Sequence, residues 1–401
     1  MSPSLNVVDS GSALLRRLSE GSSSDSSRAL RVGFLSSAPP TPCGLATFTT
    51  ALGLAMQRQN FEVGIVRVLD AEEAPVGGEL PVWCELVAAH AKTRIRAIDA
   101  LNRCDAVMVQ HEYGLYGGQD GSDVLRILEG LRVPAVSILH TVLASPTRHQ
   151  RDVLNEVIRR SRHVVVMSAY AEATLRSANF IGATPLSVIP HGAQRSTSLS
   201  TRAAHERPIL LSWGLLGPGK GIEWAIDALG MLKDLSPVPR YVVAGRTHPK
   251  VLAREGDAYR DSLVRRVEAN GVGHMVDFDD SYRDLASLQN LIEDADVVIL
   301  PYDSKNQATS GVLVDAVAAG RPVIATAFPH ALELLSDGAG LIVPQRDPLA
   351  LAAAIRRVLV DHDLAQRMAL AARQASAGLS WDVVGEQFAA LTQRYVANVH
   401  S

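Results

Sequence analysis

The chain has little cysteine, three in 401 residues, and Cys43, Cys84 and Cys104 follow no metal-ligand spacing. A zinc site is discounted on that ground, and reduced thiols in a cytoplasmic protein are the simple expectation. No apolar run approaches the length of a membrane span, and the N-terminus has no continuous signal-peptide core. No block of Lys or Arg stands out, and a formal charge of -3 gives no electrostatic case for nucleic acid. Residues 1–30 are Ser-rich and mixed; a mobile tail is expected there, with at most a short helix at 13–18.

What the chain does have is apolar content, 47% over a length suited to two cores. From Arg31 onward, short apolar runs alternate with helical patterns. "RVGFLSS", "EVGIVRVL", "CDAVMVQH", "VPAVSILH", "RHVVVMS" and "LSVIPHG" form one series. "PILLSWG", "RYVVAG", "HMVDF", "ADVVILPY", "RPVIAT" and "GLIVP" form a second. Runs of this kind read as buried parallel strands in βαβ units. The polar stretch 192–208 is placed as a linker. The expected division is a tail over 1–30, a Rossmann-like domain over 31–195, a second over 205–378, and a terminal helix over 379–401.

In open parallel sheets, ligands bind outside the carboxyl ends of the strands. The loops at those ends are "PPTPCGLATF", "HEYGLYGGQDG" and "HTVLASP" in the first domain, and "WGLLGPGKG", "AGRTHP", "PYDSKNQATSG" and "FPHALE" in the second. The stretch 214–221 leads from a strand into a helix expected over 219–232. Its glycines leave amides free to point at an anion, and Lys220 adds a full charge. A plain glycine-rich turn is the other reading of this stretch. Gly44 opens the first helix in the same way. His111, His140, His248 and His330 lie at or near strand ends without a metal spacing, and a histidine so placed is more often a structural hydrogen-bonder than a catalyst. The loop with His111, Tyr113 and Gly117 is expected to line the acceptor side. The loop 302–310 carries more hydrogen-bonding groups than a simple turn needs, among them Gln307, Thr309 and Ser310 ahead of Gly311.

"GLLGPGKGIEWAIDAL", "ADVVILPY", "QATSGVLVDAVAAGRPVIAT" and "GAGLIVP", in that order, resemble the retaining glycosyltransferases of family 4. The resemblance implies the GT-B fold: two facing Rossmann-like α/β domains, with a C-terminal helix crossing back to the first. It implies transfer of a hexose, with retention, from a nucleoside-diphosphate sugar to an acceptor hydroxyl, and no required metal. By the same resemblance Gln307 meets the donor hexose and Asp315 the ribose, where the family pattern has Glu at both. Lys220, with Gly219, matches the diphosphate-gripping lysine, while the family's arginine falls on Leu215; Arg246 is advanced as its replacement. His140 matches the histidine that bonds the donor sugar, and Gly44 the loop that approaches the diphosphate. A loose likeness to bacterial mannosyltransferases of the family puts GDP-mannose first as donor, with a UDP-hexose close behind. The acceptor is a carbohydrate, a lipid or a small molecule. A phosphorylase, a sugar-nucleotide epimerase and a non-catalytic sugar-nucleotide-binding subunit stand as alternatives. For the terminal amphipathic helix, domain bridging is preferred to peripheral contact with the inner face of a membrane.

Overall fold

Strands such as VVIL and HVVV are apolar on both faces, so each needs helices above and below it. A computed structural model of the chain describes residues 28–397 except 42, 73–76, 179, 196–204, 282 and 305, and it answers that need twice. The first sheet contains β1 (Leu30–Ser36), β2 (Phe61–Leu69), β3 (Val82–Val87), β4 (Ala106–His111), β5 (Ala135–Leu139), β6 (His163–Val166) and β7 (Leu186–Val188). These lie parallel in the order β3-β2-β1-β4-β5-β6-β7. The second contains β8 (Ile209–Trp213), β9 (Arg240–Ala244), β10 (Val276–Asp279), β11 (Val297–Leu300), β12 (Val323–Thr326) and β13 (Gly340–Val343), ordered β10-β9-β8-β11-β12-β13. Each sheet has a core on both faces. This is the GT-B arrangement of two Rossmann-like α/β units.

Two features differ from the sequence reading. The half-buried strand β3 and helix Ala91–Leu101 lie where no element is expected. The helix after β8 begins at Ile222, not 219, because Gly219 and Gly221 take left-handed φ values of +91° and +66°. The helix expected at 13–18 and much of the 192–208 linker lie outside the described residues.

The last helix, Trp381–Ala397, leaves the second domain and packs on the first. Its Val384, Phe388, Ala389, Leu391 and Tyr395 share one core with Phe48, Leu52 and Met56. The Tyr395 hydroxyl lies 2.8 Å from His163 Nδ1, and a Cβ on Gly385 would come within 2.7 Å of Ala55. The apolar face of the helix is therefore spent on bridging the domains. Among the described residues, no helix is long and apolar enough to cross a membrane. Phe388 is fully buried in the first-domain core. Phe388→Ala should cost about 3–5 kcal/mol in urea unfolding monitored on the first domain; a loss below about 1 kcal/mol would show that the helix is not part of that core.

Candidate active site

Each strand order reverses once, between β1 and β4 in the first sheet and between β8 and β11 in the second. Loops diverge at such a point and leave a crevice. The stretches 214–221, 301–304 and 306–310 flank the second crevice; 37–41 and the loop after His111 flank the first.

In the second domain, the backbone of the glycine loop is pressed onto the end of β11. A Cβ on Gly221 would lie 1.8 Å from the Pro301 carbonyl oxygen, and φ there is positive, so only glycine fits. Helix Ile222–Leu229 follows with no side-chain cap, which leaves its first amides open to an anion. The correction to the helix start places Lys220 in the loop. Its Nζ stands 4.5 Å from the centre of the Tyr302 ring. No carboxylate among the described residues pairs with Lys220. Tyr302 is buried, stacked on Phe328 at 5.1 Å, and its hydroxyl has no partner among the described residues.

Arg246 is exposed, and its Nε donates to the Asp280 carbonyl at 2.9 Å, toward the β10 edge of the sheet. Leu215, at the family's arginine position, lies between Gly214 and Leu216, whose amides bond to the 244–246 backbone. This donor half of the crevice therefore presents Lys220 and amides.

The loop after β11 is shaped by Ser310. Its Oγ caps helix Gly311–Ala318 by accepting from the Leu313 amide, and its own amide donates to His330 Nδ1 at 2.9 Å. His330 is thus an acceptor at Nδ1, in keeping with burial pushing its pKa down to about 4. Gln307 Nε2 donates to the Thr309 carbonyl, which fixes the amide and leaves its oxygen without a bond to the described residues. Asp315 lies on the helix, half-buried and with no side-chain partner among the described residues; desolvation pushes its pKa up to about 7.

In the first domain, a Cβ on Gly44 would meet nothing within 4 Å, so the protein's own packing does not require glycine there. His140, directly after β5, bonds through Nε2 to Gln110 Oε1 at 2.6 Å. Burial, with lesser effects from His191 and His111, pushes its pKa down to about 3. The Phe48 ring lies roughly crosswise to both the His140 and His191 rings, at 4.8 and 5.0 Å between centres. Trp381 backs Phe48 at 5.3 Å, and a Cβ on Gly192 would strike that indole at 2.2 Å.

The expected acceptor-side residues separate. His111 is sealed in the interior against Tyr113, at 5.2 Å between rings, and burial pushes its pKa down to about 4. In this arrangement His111 has no surface to offer an acceptor. Tyr113 is buried too, and its phenol is pushed up by desolvation. Gly117 does border a hollow, shared with Tyr116, Arg94 and Asp123, and a Cβ there would come within 2.7 Å of Asp123 Oδ2.

Apart from Gly311, the two halves meet through residues the sequence reading did not single out. Ser168 Oγ donates to the Ala308 carbonyl at 2.7 Å. Glu333 accepts from the Ala169 and Tyr170 amides at 2.8 and 3.0 Å, at the start of helix Ala169–Ser177. Lys250 Nζ donates to the Gly114 carbonyl at 2.8 Å. A Cβ on Gly311 would stand 2.8 Å from His191 Nε2. His191 follows β7 in "PHG", so the strand-end rule would have found it.

Two family models match the chain, glycosyltransferase family 4 over residues 42–196 and glycosyl transferases group 1 over residues 195–375. The glycogen synthase of Mycobacterium tuberculosis (strain CDC 1551 / Oshkosh) is 29% identical over 279 residues, covering 66% of this chain and 63% of that protein. An alpha-D-kanosaminyltransferase of Streptomyces kanamyceticus is 27% identical over 201 residues, 50% of this chain and 49% of its own length. The chain thus spans 63% and 49% of the length of these two relatives. A sucrose-phosphate synthase structure from Thermosynechococcus elongatus superposes with a TM-score of 0.74 at 19% identity, over 92% of this chain and all (100%) of that one. Anabaena HepE, solved with UDP and glucose, gives 0.71 at 19% identity over 91% of this chain and 99% of its own. With both family models matched in tandem on two facing Rossmann-like units, the chain belongs to the group 1, family 4 glycosyltransferases of GT-B fold.

Proposed function

We propose that the chain moves a hexose from a nucleoside-diphosphate sugar to an acceptor hydroxyl, with retention at the anomeric carbon. The observation that carries this reading is Lys220, a cation with no carboxylate partner among the described residues, resting on Tyr302 beside open helix amides at the strand-order reversal. Such a place suits a diphosphate. Asp315 supplies an acceptor for the ribose hydroxyls, and Gln307 for the hexose. HepE was solved with UDP and glucose, which sets a UDP-hexose beside GDP-mannose as the donors to try first. Arg246 completes the diphosphate grip in this reading by releasing Asp280.

The chemistry asks for stabilisation of a departing diphosphate and of an oxocarbenium-like sugar. The bond from the anomeric carbon to the phosphate oxygen breaks, and the bond to the acceptor oxygen forms on the same face. The acceptor's proton passes to the leaving phosphate oxygen. Lys220 and the helix amides neutralise the charge that develops there, so no divalent metal is required in this scheme. A neutral His140 bonds the sugar near its reacting carbon without adding a competing positive charge. Closure of the domains excludes water from the donor.

Purified protein given a panel of sugar nucleotides and acceptors should release nucleoside diphosphate; no release with any of them would reject the reading. Lys220→Ala should lower kcat/KM for the donor about 100-fold or more, and unchanged turnover and donor affinity would refute the phosphate role. His140→Ala should lower kcat about 100-fold with the fold intact; a loss within about twofold would make His140 structural. Asp315 gives a pH signature. Ribose hydroxyls donate to its ionised form, so bound nucleotide favours loss of the proton held up to about pH 7. Nucleotide affinity should weaken as pH falls through 7, calorimetry should record proton release, and Asp315→Asn should flatten both. A flat wild-type profile would count against Asp315 as the ribose ligand.

A further inference from the structure

The face of the first sheet that leads to His140 is lined by Phe34, Met108, Val136, Ile138 and Phe48, all apolar. Gln110 continues β4 on the Met108 side, since strand residues two apart share a face, and it is wholly buried. Methionine would fill nearly the same volume without an amide to desolvate. A buried amide left unpaired costs about 1–3 kcal/mol, so its placement here calls for a reason.

The amide oxygen makes one contact, 2.6 Å to His140 Nε2, while the amide nitrogen is buried without a partner among the described residues. A carbonyl oxygen accepts, so the imidazole proton sits on Nε2. Burial keeps the ring neutral, and Phe48 packs crosswise against it at 4.8 Å. Its Nδ1 then carries a lone pair, has no partner among the described residues, and is not among the sealed polar atoms.

We propose that Gln110 is a positioning residue that fixes His140 as the Nε2–H tautomer, so that Nδ1 is presented to the donor sugar as a hydrogen-bond acceptor. The use of Nδ1 rests on the transfer reading above; the state of the ring does not. The bond formed is from a sugar hydroxyl to Nδ1. A ring in the other tautomer would donate to that hydroxyl instead of accepting from it.

The test is nitrogen NMR of the full chain labelled in histidine, with the His140 signals assigned by their loss in His140→Asn. Wild type without ligand should show a protonated Nε2 and a bare Nδ1. Gln110→Met should give a mixture of tautomers and lower kcat at least about tenfold, with donor KM changed less than kcat. Gln110→Glu should keep the Nε2–H pattern and add an acid limb to the kcat profile, because a carboxylate favours the imidazolium. The other titratable groups bearing on this ring are His191 and His111, both held neutral by burial. A wild-type ring protonated at Nδ1, or a Gln110→Met protein with an unchanged ring and kcat within twofold, would overturn the proposal. An Nε2–H ring in a protein that transfers nothing would instead sink the transfer reading and the use made of Nδ1 with it.

Discussion

The site depends on one close approach between domains. Gly311, the first residue of the helix that follows the donor loop, lies so near His191 that a single added carbon would come within 2.8 Å of Nε2. Glycine at that place lets the helix start reach the first-domain histidines, and the donor loop is carried with it. Ser168 and Glu333 hold the same seam with three hydrogen bonds to backbone. Bonds of this kind can break and re-form, as a cleft that admits and releases a ligand requires. The terminal helix supplies the permanent connection, and through Trp381 and Phe48 it also backs the imidazoles.

Electrostatics within the cleft follows from burial. His111, His140, His191 and His330 are all pushed down to about 3 or 4, so near neutral pH none carries charge. Lys250 is engaged with a first-domain carbonyl. Arg246 likewise donates to a carbonyl, so Lys220, beside the helix amides, is the cation of this loop that no hydrogen bond to the described residues engages. Asp315, on the helix after the 301–310 loop, has its ionisation made costly by desolvation.

Much of the fold was legible because parallel strands buried on both faces can only be apolar runs. The strand-end rule then found Lys220, His140 and the 302–310 loop. Edge strand β3 escaped because "VWCELV" is half-buried and carries Glu85, so it lacks the continuous apolar signal. The start of helix Ile222–Leu229 was misplaced because helical pattern does not register the left-handed glycines ahead of it. His111 reads as a strand-end lining residue, yet its side chain falls on the face that turns into the core. Gln110, Ser168, Trp381 and Glu333 act through contacts with residues far away in the chain, and no local pattern carries that information. Arg246 shows the limit of proximity in sequence: its guanidinium turns to Asp280 at the next strand end.

The central claim is that the diphosphate of a sugar nucleotide lies on Lys220 and the glycine-loop amides, with its ribose on Asp315. A crystal structure of the chain with a bound nucleoside diphosphate tests it most directly. The account predicts phosphate oxygens within hydrogen-bonding distance of Lys220 Nζ and the Ile222 and Glu223 amides, and ribose hydroxyls on the Asp315 carboxylate. A nucleotide seated instead in the outer groove of Tyr259, Arg265 and Arg266, with Lys220 still resting on Tyr302, would contradict it.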